Sequence, residues 1–201
     1  MLLDLISQNI PRLLQVTMSL QTDPQYWLQD GFLISTDKNL LSIPSINNAF
    51  NQEFMYWVNP VPDHMLKSIV DSSFCFGLYK VIHNNNPTND NGTKPPPSEF
   101  KTTDLEQIGF ARLITDNVTF AYLTDLYVLP EYQGLGLGGW LINCLNEVLS
   151  VLPYLRWVML RTSVRKSVDS YKKRLGMSVL ESGDIMNGPV IMGKKGRAGM
   201  A

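Results

Sequence analysis

VTFAYLTDLYVLPEYQGLGLGGWLINCLNEVLS, residues 118–150, joins an apolar strand to a helix through a glycine-rich loop. Val118 to Leu129 is a nearly unbroken apolar run, the pattern of a strand covered on both faces. Pro130, which lacks an N–H to donate, ends it. Gln133-Gly-Leu-Gly-Leu-Gly138 then leads into Gly139–Ser150, where Trp140, Leu141, Cys144, Leu145, Val148 and Leu149 mark one face of an amphipathic helix. A helix start leaves backbone N–H groups unpaired and carries about half a positive charge. Glycine lets a phosphate come close to such a backbone. The stretch therefore predicts an anion site.

The spacing narrows the ligand. A P-loop needs Gly-x-x-x-x-Gly-Lys-Ser/Thr, and no lysine follows these glycines. A dinucleotide fingerprint needs Gly-x-Gly-x-x-Gly with an acid about 20 residues on. Here Gly134, Gly136 and Gly138 lie two apart, and the following strand carries arginines.

Composition bounds the function classes. The 201 residues are 44% hydrophobic with net charge −1, which suits one globular domain and gives no electrostatic basis for a nucleic-acid or anionic-membrane role. No apolar run reaches the length of a membrane span, about 18 residues, and the first residues lack a basic signal-peptide start. Cys75 and Cys144 sit in apolar settings and read as reduced core residues, so a cytoplasmic or nuclear protein is expected. His64 and His83 have no Cys/His/Asp partners at ligand spacing, and no metal is expected.

Outward from the glycine loop, the pattern predicts strands over 31–37, 74–82, 107–115, 155–162, 177–180 and 189–192, with helices over 43–57, 63–71 and 167–175. Gly176 is placed to cap the last helix. Residues 83–101, with five asparagines in 84–91 and three consecutive prolines, read as a loop insertion. Residues 1–17 form an N-terminal extension, 18–193 one domain and 194–201 a tail. A strand–helix–strand crossover makes the strand after the glycine-loop helix parallel to the one before it.

Gln-x-x-Gly-x-Gly (Gln133, Gly136, Gly138) after Leu-x-Val-x-Pro (Leu126, Val128, Pro130) resembles the pyrophosphate loop of the GNAT superfamily of acyl-CoA-dependent N-acyltransferases. The resemblance extends from about Gly31 to Met192, through Phe32–Asp37, Tyr56-Trp57, Ser73–Tyr79, Ile108–Asp116, Thr119–Val128, Tyr132–Gly138 and Tyr171–Met177, and is closest to small bacterial and fungal members. It implies an α/β (α+β) fold. Its mixed sheet has about six to seven strands, antiparallel in the N-terminal half, splayed between the fourth and fifth and flanked by about four helices.

The resemblance also implies a single-domain acetyltransferase that moves acetyl from acetyl-CoA to a primary amine of a small molecule or peptide, by direct attack in a ternary complex. The alternative is an acyl-CoA-binding module without turnover. A monomer or homodimer is expected. The amides of Gln133, Gly134, Leu135, Gly136, Leu137 and Gly138 would hold the CoA pyrophosphate, and Leu126, Tyr127 and Val128 the pantetheine arm, with an N–H near Tyr127 or Val128 polarising the thioester.

Tyr171 stands for the general acid that protonates the leaving thiolate, or else merely packs. Its spacing, Tyr-x-x-x-Leu-Gly, is one residue longer than the commonest form, which would select Lys172. Asp125 is the candidate base and Glu53 its rival, with a purely structural role for Asp125 equally open. Asp125 and Tyr127 should share one strand face, and Leu126 and Val128 the other. Tyr56 and Trp57 would line the acceptor side. With Glu53, Asp63 and Asp125 they would suit a small cationic amine. Six basic residues between Arg161 and Arg174 read as a solvated face or as partners of the adenosine 3′-phosphate. The asparagine that many GNAT members carry after the fifth strand has no counterpart in Ser163–Ser167.

Overall fold

A computed structural model describes residues 19–20, 23–82, 100–182 and 190–196. The expected extension over 1–17, His83 and the asparagine-rich run lie outside the described residues. The elements in chain order are β1 (Tyr26–Gln29), β2 (Phe32–Ser35), α1 (Ile43–Phe50), α2 (Asp63–Asp71), β3 (Phe74–Val81), β4 (Leu105–Thr115), β5 (Phe120–Val128), α3 (Leu137–Ser150), β6 (Trp157–Thr162), α4 (Arg165–Leu175), β7 (Ser178–Ser182) and β8 (Val190–Lys195).

The strands form one eight-stranded sheet in the order β1-β2-β3-β4-β5-β6-β8-β7. Every neighbouring pair is antiparallel except β5 and β6, the pair joined across α3. Apolar faces of α3 and α4 (Leu141, Leu145, Tyr171, Leu175) pack with Phe76, Leu78 and Leu160 on one side. α1 and α2 cover Cys75, Phe110 and Tyr127 on the other through Ile46, Phe50, Leu66 and Val70. The mixed sheet and four helices agree with the fold that the resemblance implies.

Differences from the sequence pattern have local causes. The eighth strand is β1, which pairs with β2 through Asp30 and Gly31, both at positive φ (48° and 80°). That is the conformation of a tight hairpin turn. α1 stops at Phe50 instead of reaching Trp57. Asn47 draws the following loop back, its Nδ2 donating to Val61 O (2.6 Å) and its Oδ1 accepting from Val61 N (3.1 Å). A 3-10 turn over Glu53–Met55 then buries Met55 fully. At the other end β8 runs to Lys195, past the expected start of the tail, because it pairs with the whole of β6. Gly196 N adds a bond to Arg156 O (2.7 Å). Gly176 caps α4 at φ 64° as its position predicts.

The decisive feature is the end of the β5–β6 pairing. Partners run only from Phe120↔Trp157 to Leu123↔Leu160. Beyond them β6 keeps its bonds to β8, while β5 changes course at a bulge. Between the Phe110↔Tyr127 and Arg112↔Thr124 pairs, Ala111 alone faces Asp125 and Leu126. Asp125 takes a left-handed φ of 52°, and a bulge of this kind sharpens the local twist. Residues 124–128 thus keep an edge open toward β6, and a cleft crosses the sheet there.

Candidate active site

Two cavities meet in that cleft. One, of about 580 Å³, is lined by the glycine loop (Gln133, Gly134, Gly136), the start of α3, the β5 segment Leu126–Val128 and α4. The other, of about 480 Å³, lies toward Tyr122, Thr124 and Asp125 on β5 and Arg161–Ser163 on and after β6. Tyr56, Trp57, Leu126, Val164, Ser167 and Tyr171 line both.

The glycine-loop cavity contains the stretch for which the sequence predicts an anion site. Gly134 and Gly136 adopt φ of 85° and 81°, and a Cβ added at either would meet nothing within 4 Å. Gly136 is the N-cap of α3 and no side chain caps it. The first amide bonded inside the helix is that of Trp140, to Gly136 O (3.0 Å). The amides of the first turn are thus left for a ligand. The Gln133 side chain ties loop to strand, its Nε2 donating to Val128 O (2.9 Å), while its backbone N–H donates to Pro130 O (3.2 Å).

The basic cluster divides. Lys166 lines this cavity, Arg161 lines the other, and Arg165, Lys172 and Lys173 face outward. Arg174 lies against the first turn of α3, so close that a Cβ on Gly139 would fall 2.5 Å from its Nη2. Its Nη1 donates to Asn143 Oδ1 (3.0 Å).

Tyr171, rather than Lys172, points into the cleft. It is 8% exposed, and burial pushes its phenol up to about 12. No hydrogen bond to its hydroxyl exists among the described residues, so its donor is available at the junction of the two cavities. Tyr127 is buried among Phe54 and Phe110 at ring separations of 6.1 and 6.3 Å, and burial raises its phenol too. Leu126 and Val128 turn to the opposite face, against the α3 side of the core. The alternation expected of Asp125, Leu126, Tyr127 and Val128 therefore holds, with the bulge adding Thr124 to the Asp125 face.

Asp125 is 7% exposed and occupied. Arg112 Nε donates to its Oδ2 and Thr124 Oγ1 to its Oδ1 (3.1 Å). Arg112 Nη1 also reaches Ser73 Oγ (3.2 Å). A carboxylate locked in a mostly buried ion pair is poorly placed to take a proton from an amine. Glu53 is exposed in its 3-10 turn and lines neither cavity. Tyr56 and Trp57 do reach the cleft. They are 65% and 46% exposed and pack edge to face at 5.1 Å. The Tyr56 hydroxyl is bonded to Ser163 Oγ, linking the loop after α1 to the loop after β6. Arg112 was missed from sequence, although an arginine in the apolar run Ile108–Leu113 signals a buried counter-ion. No group of three or more potential metal ligands occurs among the described residues.

The family model of the acetyltransferase (GNAT) domain matches residues 102–174, which carry the bulge, the glycine loop and Tyr171. A Gibberella zeae protein named as a candidate acetyltransferase is 42% identical over 167 residues, covering 83% of this chain and 90% of that one. The chain belongs to the GNAT acetyltransferases. A GNAT-family protein of known structure from Xanthomonas campestris is 27% identical and superimposes with a TM-score of 0.52, over 77% of this chain and 87% of that one. Spermidine N-acetyltransferase from Vibrio cholerae, solved with CoA and spermine, shares the GNAT fold at 16% identity. Its TM-score is 0.56 over 82% of this chain and 95% of that one. The fold of this chain thus has solved counterparts, one of them determined in complex with CoA.

Proposed function

We propose that the protein transfers an acetyl group from acetyl-CoA to a primary amine, by direct attack while both are bound. The observation that carries this reading is the position of Tyr171, whose side chain lines the glycine-loop cavity and the Asp125 cavity alike. The fit to CoA rests on the start of α3, which no side chain caps, on the open space beside Gly134 and Gly136, and on Lys166 at the same cavity. Acetyl-CoA supplies a thioester already activated for acyl transfer.

The chain's own residues do the rest. The α3 start holds the pyrophosphate through backbone N–H groups, where the helix dipole favours negative charge. The open edge of β5 at Leu126–Val128 receives the pantetheine arm as a short added strand. Tyr171 donates its phenolic hydrogen toward the departing sulfur. An ordinary thiol, near 8.5, is a stronger acid than a phenol near 12, so full proton transfer in water would run uphill. Burial raises thiols as well: Cys75 and Cys144 in this protein are both pushed up to about 12. Within a closed cleft donor and leaving group are therefore better matched.

With Asp125 paired to Arg112 and Glu53 outside the cleft, no free carboxylate meets the amine among the described residues. The acceptor reacts as its neutral form, releasing its proton through water. Asp125 orients β5 and Thr124 in this scheme. Thermal stabilisation by CoA and acetyl-CoA, followed by thiol release with a panel of amines, tests the proposal. Stabilisation without thiol release from any amine selects a binding module instead. No stabilisation by either ligand removes both readings.

A further inference from the structure

The charges around the acceptor cavity do not suit the small cationic amine that the sequence favours. Glu53 and Asp63 lie outside it, and Asp63 accepts instead from Asn47 Nδ2 (2.8 Å). Asp125, the only carboxylate in the lining, is neutralised by Arg112 from outside that lining. What remains is Arg161. It lines the cavity and stands one residue past the last β5–β6 pair (Leu123↔Leu160), and its guanidinium makes no ion pair or hydrogen bond among the described residues. Around it are hydroxyls of Thr124, Thr162 and Ser163, which carry no charge at neutral pH.

We propose that the acceptor is a primary amine that also carries a carboxylate, and that Arg161 is the residue that holds it. This rests on the acyl-transfer reading and names the substrate class for the same site. A guanidinium presents a planar fork of N–H donors that matches the two oxygens of a carboxylate, and charge-assisted bonds of this type are about twice as strong as neutral ones. Leu160, Leu126 and Trp57 give the cavity an apolar wall beside Arg161, which is itself exposed at the mouth, so the contact is a partly solvated one whose strength depends on the bidentate geometry. The same positive charge, without an ion-pair partner among the described residues, repels a second ammonium group, so polyamines are disfavoured at the position that takes the carboxylate. Arg161 and Tyr171 line the same cavity of about 480 Å³, so one short acceptor can set its carboxylate at the first and its amine toward the second.

The test compares acceptors of matched length: glycine, β-alanine, 4-aminobutanoate and 5-aminopentanoate against the corresponding alkylamines and diamines, with an N-terminally acidic tetrapeptide as a further carboxylate source. Preference for the amino acids or for the peptide then tells a free acceptor from a chain terminus. At the best spacing, the carboxylate-bearing acceptor should exceed its alkylamine in kcat/KM by about tenfold or more, equivalent to about 1.4 kcal/mol. Arg161→Gln should erase that preference, and Arg161→Glu should shift it to the diamine.

Calorimetry with the N-acetylated products supplies a second readout that does not depend on turnover. The acetylated amino acid should bind more tightly than the acetylated alkylamine, and Arg161→Gln should equalise them. Equal or better use of alkylamines and diamines at every spacing overturns the proposal. So does a carboxylate preference that survives in Arg161→Gln, or equal binding of the products in the wild type. Acetyl-CoA stabilisation measured alongside separates these outcomes from failure of the acyl-transfer reading, since Arg161 lies outside the glycine-loop cavity.

Discussion

Arg112 on β4 is paired with Asp125 on β5 across the bulge where Asp125 takes a φ of 52°. The guanidinium thus holds in place the residue whose backbone opens the sheet. Side-chain exposures of 17% and 7% put the pair mostly out of water. Removing one partner there leaves a desolvated charge, at a cost of about 3 kcal/mol or more. Arg112→Met is expected to destabilise by that amount in urea denaturation. Asp125→Asn, which tolerates positive φ, should cost less in the Arg112→Met background than in the wild type. Equal costs in both backgrounds would show that the pair is not coupled.

Tyr171→Phe is expected to lower kcat by about 100-fold or more, with little change in stabilisation by acetyl-CoA. The phenol is raised by burial to about 12, so the wild-type enzyme keeps its donor through neutral and alkaline pH. With no carboxylate base, kcat/KM should rise about tenfold per pH unit from 7 toward the acceptor's own pKa and show no falling limb below about pH 10. The stability linkage follows the same sign. The folded pKa lies above the unfolded value near 10, so this contribution is present below about pH 10 and is lost as pH climbs through about 12. A plateau near pH 6 in the rate profile would instead point to a carboxylate or histidine base.

The glycine loop was legible because glycine readily takes the left-handed conformation that Gly134 and Gly136 adopt, at φ of 85° and 81°. Gly176 was legible as the cap of α4, and the cleft-facing position of Tyr171 through the family's tyrosine before Leu-Gly. The ion pair of Asp125 was not, since its partner Arg112 is 13 positions away in sequence, and only the register of β4 on β5 brings them together. β1 was missed although Asp30-Gly31 is a hairpin signal, because Tyr26–Gln29 is short and half exposed. The acceptor wall depends on where β6 leaves β5, a tertiary fact with no local marker. Six basic residues in a row of 14 gave no hint that Arg161 alone would face that cavity.

Gly136→Ala separates binding from folding at the loop. A left-handed alanine costs about 1–2 kcal/mol, yet its methyl would meet no atom within 4 Å. The fold should therefore survive with a modest fall in Tm. Gly136 lines the cavity proposed for CoA, so a methyl there should lower the CoA-dependent thermal shift by much more than the baseline Tm. Loss of Tm with an unchanged CoA shift would place the anion elsewhere.

Gly77 on β3 lies beneath the ring of Tyr79, two residues along the same strand face. A methyl at Gly77 would sit 2.6 Å from Tyr79 Cε2 and closer still to the hydroxyl. Tyr79 is 1% exposed, and its hydroxyl has no hydrogen-bond partner among the described residues. Burial, more than the nearby Asp37, raises its phenol above the ordinary value. Such a group is already costly where it is, and a methyl at that distance forces the ring to shift from its packed position. Gly77→Ala is expected to destabilise by about 2 kcal/mol through overpacking. Tyr79→Phe alone should be neutral or slightly stabilising, since it removes a polar atom that nothing satisfies. In the double variant, Tyr79→Phe should recover only part of the Gly77→Ala loss, because the ring carbons clash as well as the oxygen. Denaturation of the four proteins in this cycle gives the coupling. Full recovery would mean that the hydroxyl alone sets the limit, and no recovery that the backbone of β3 yields instead.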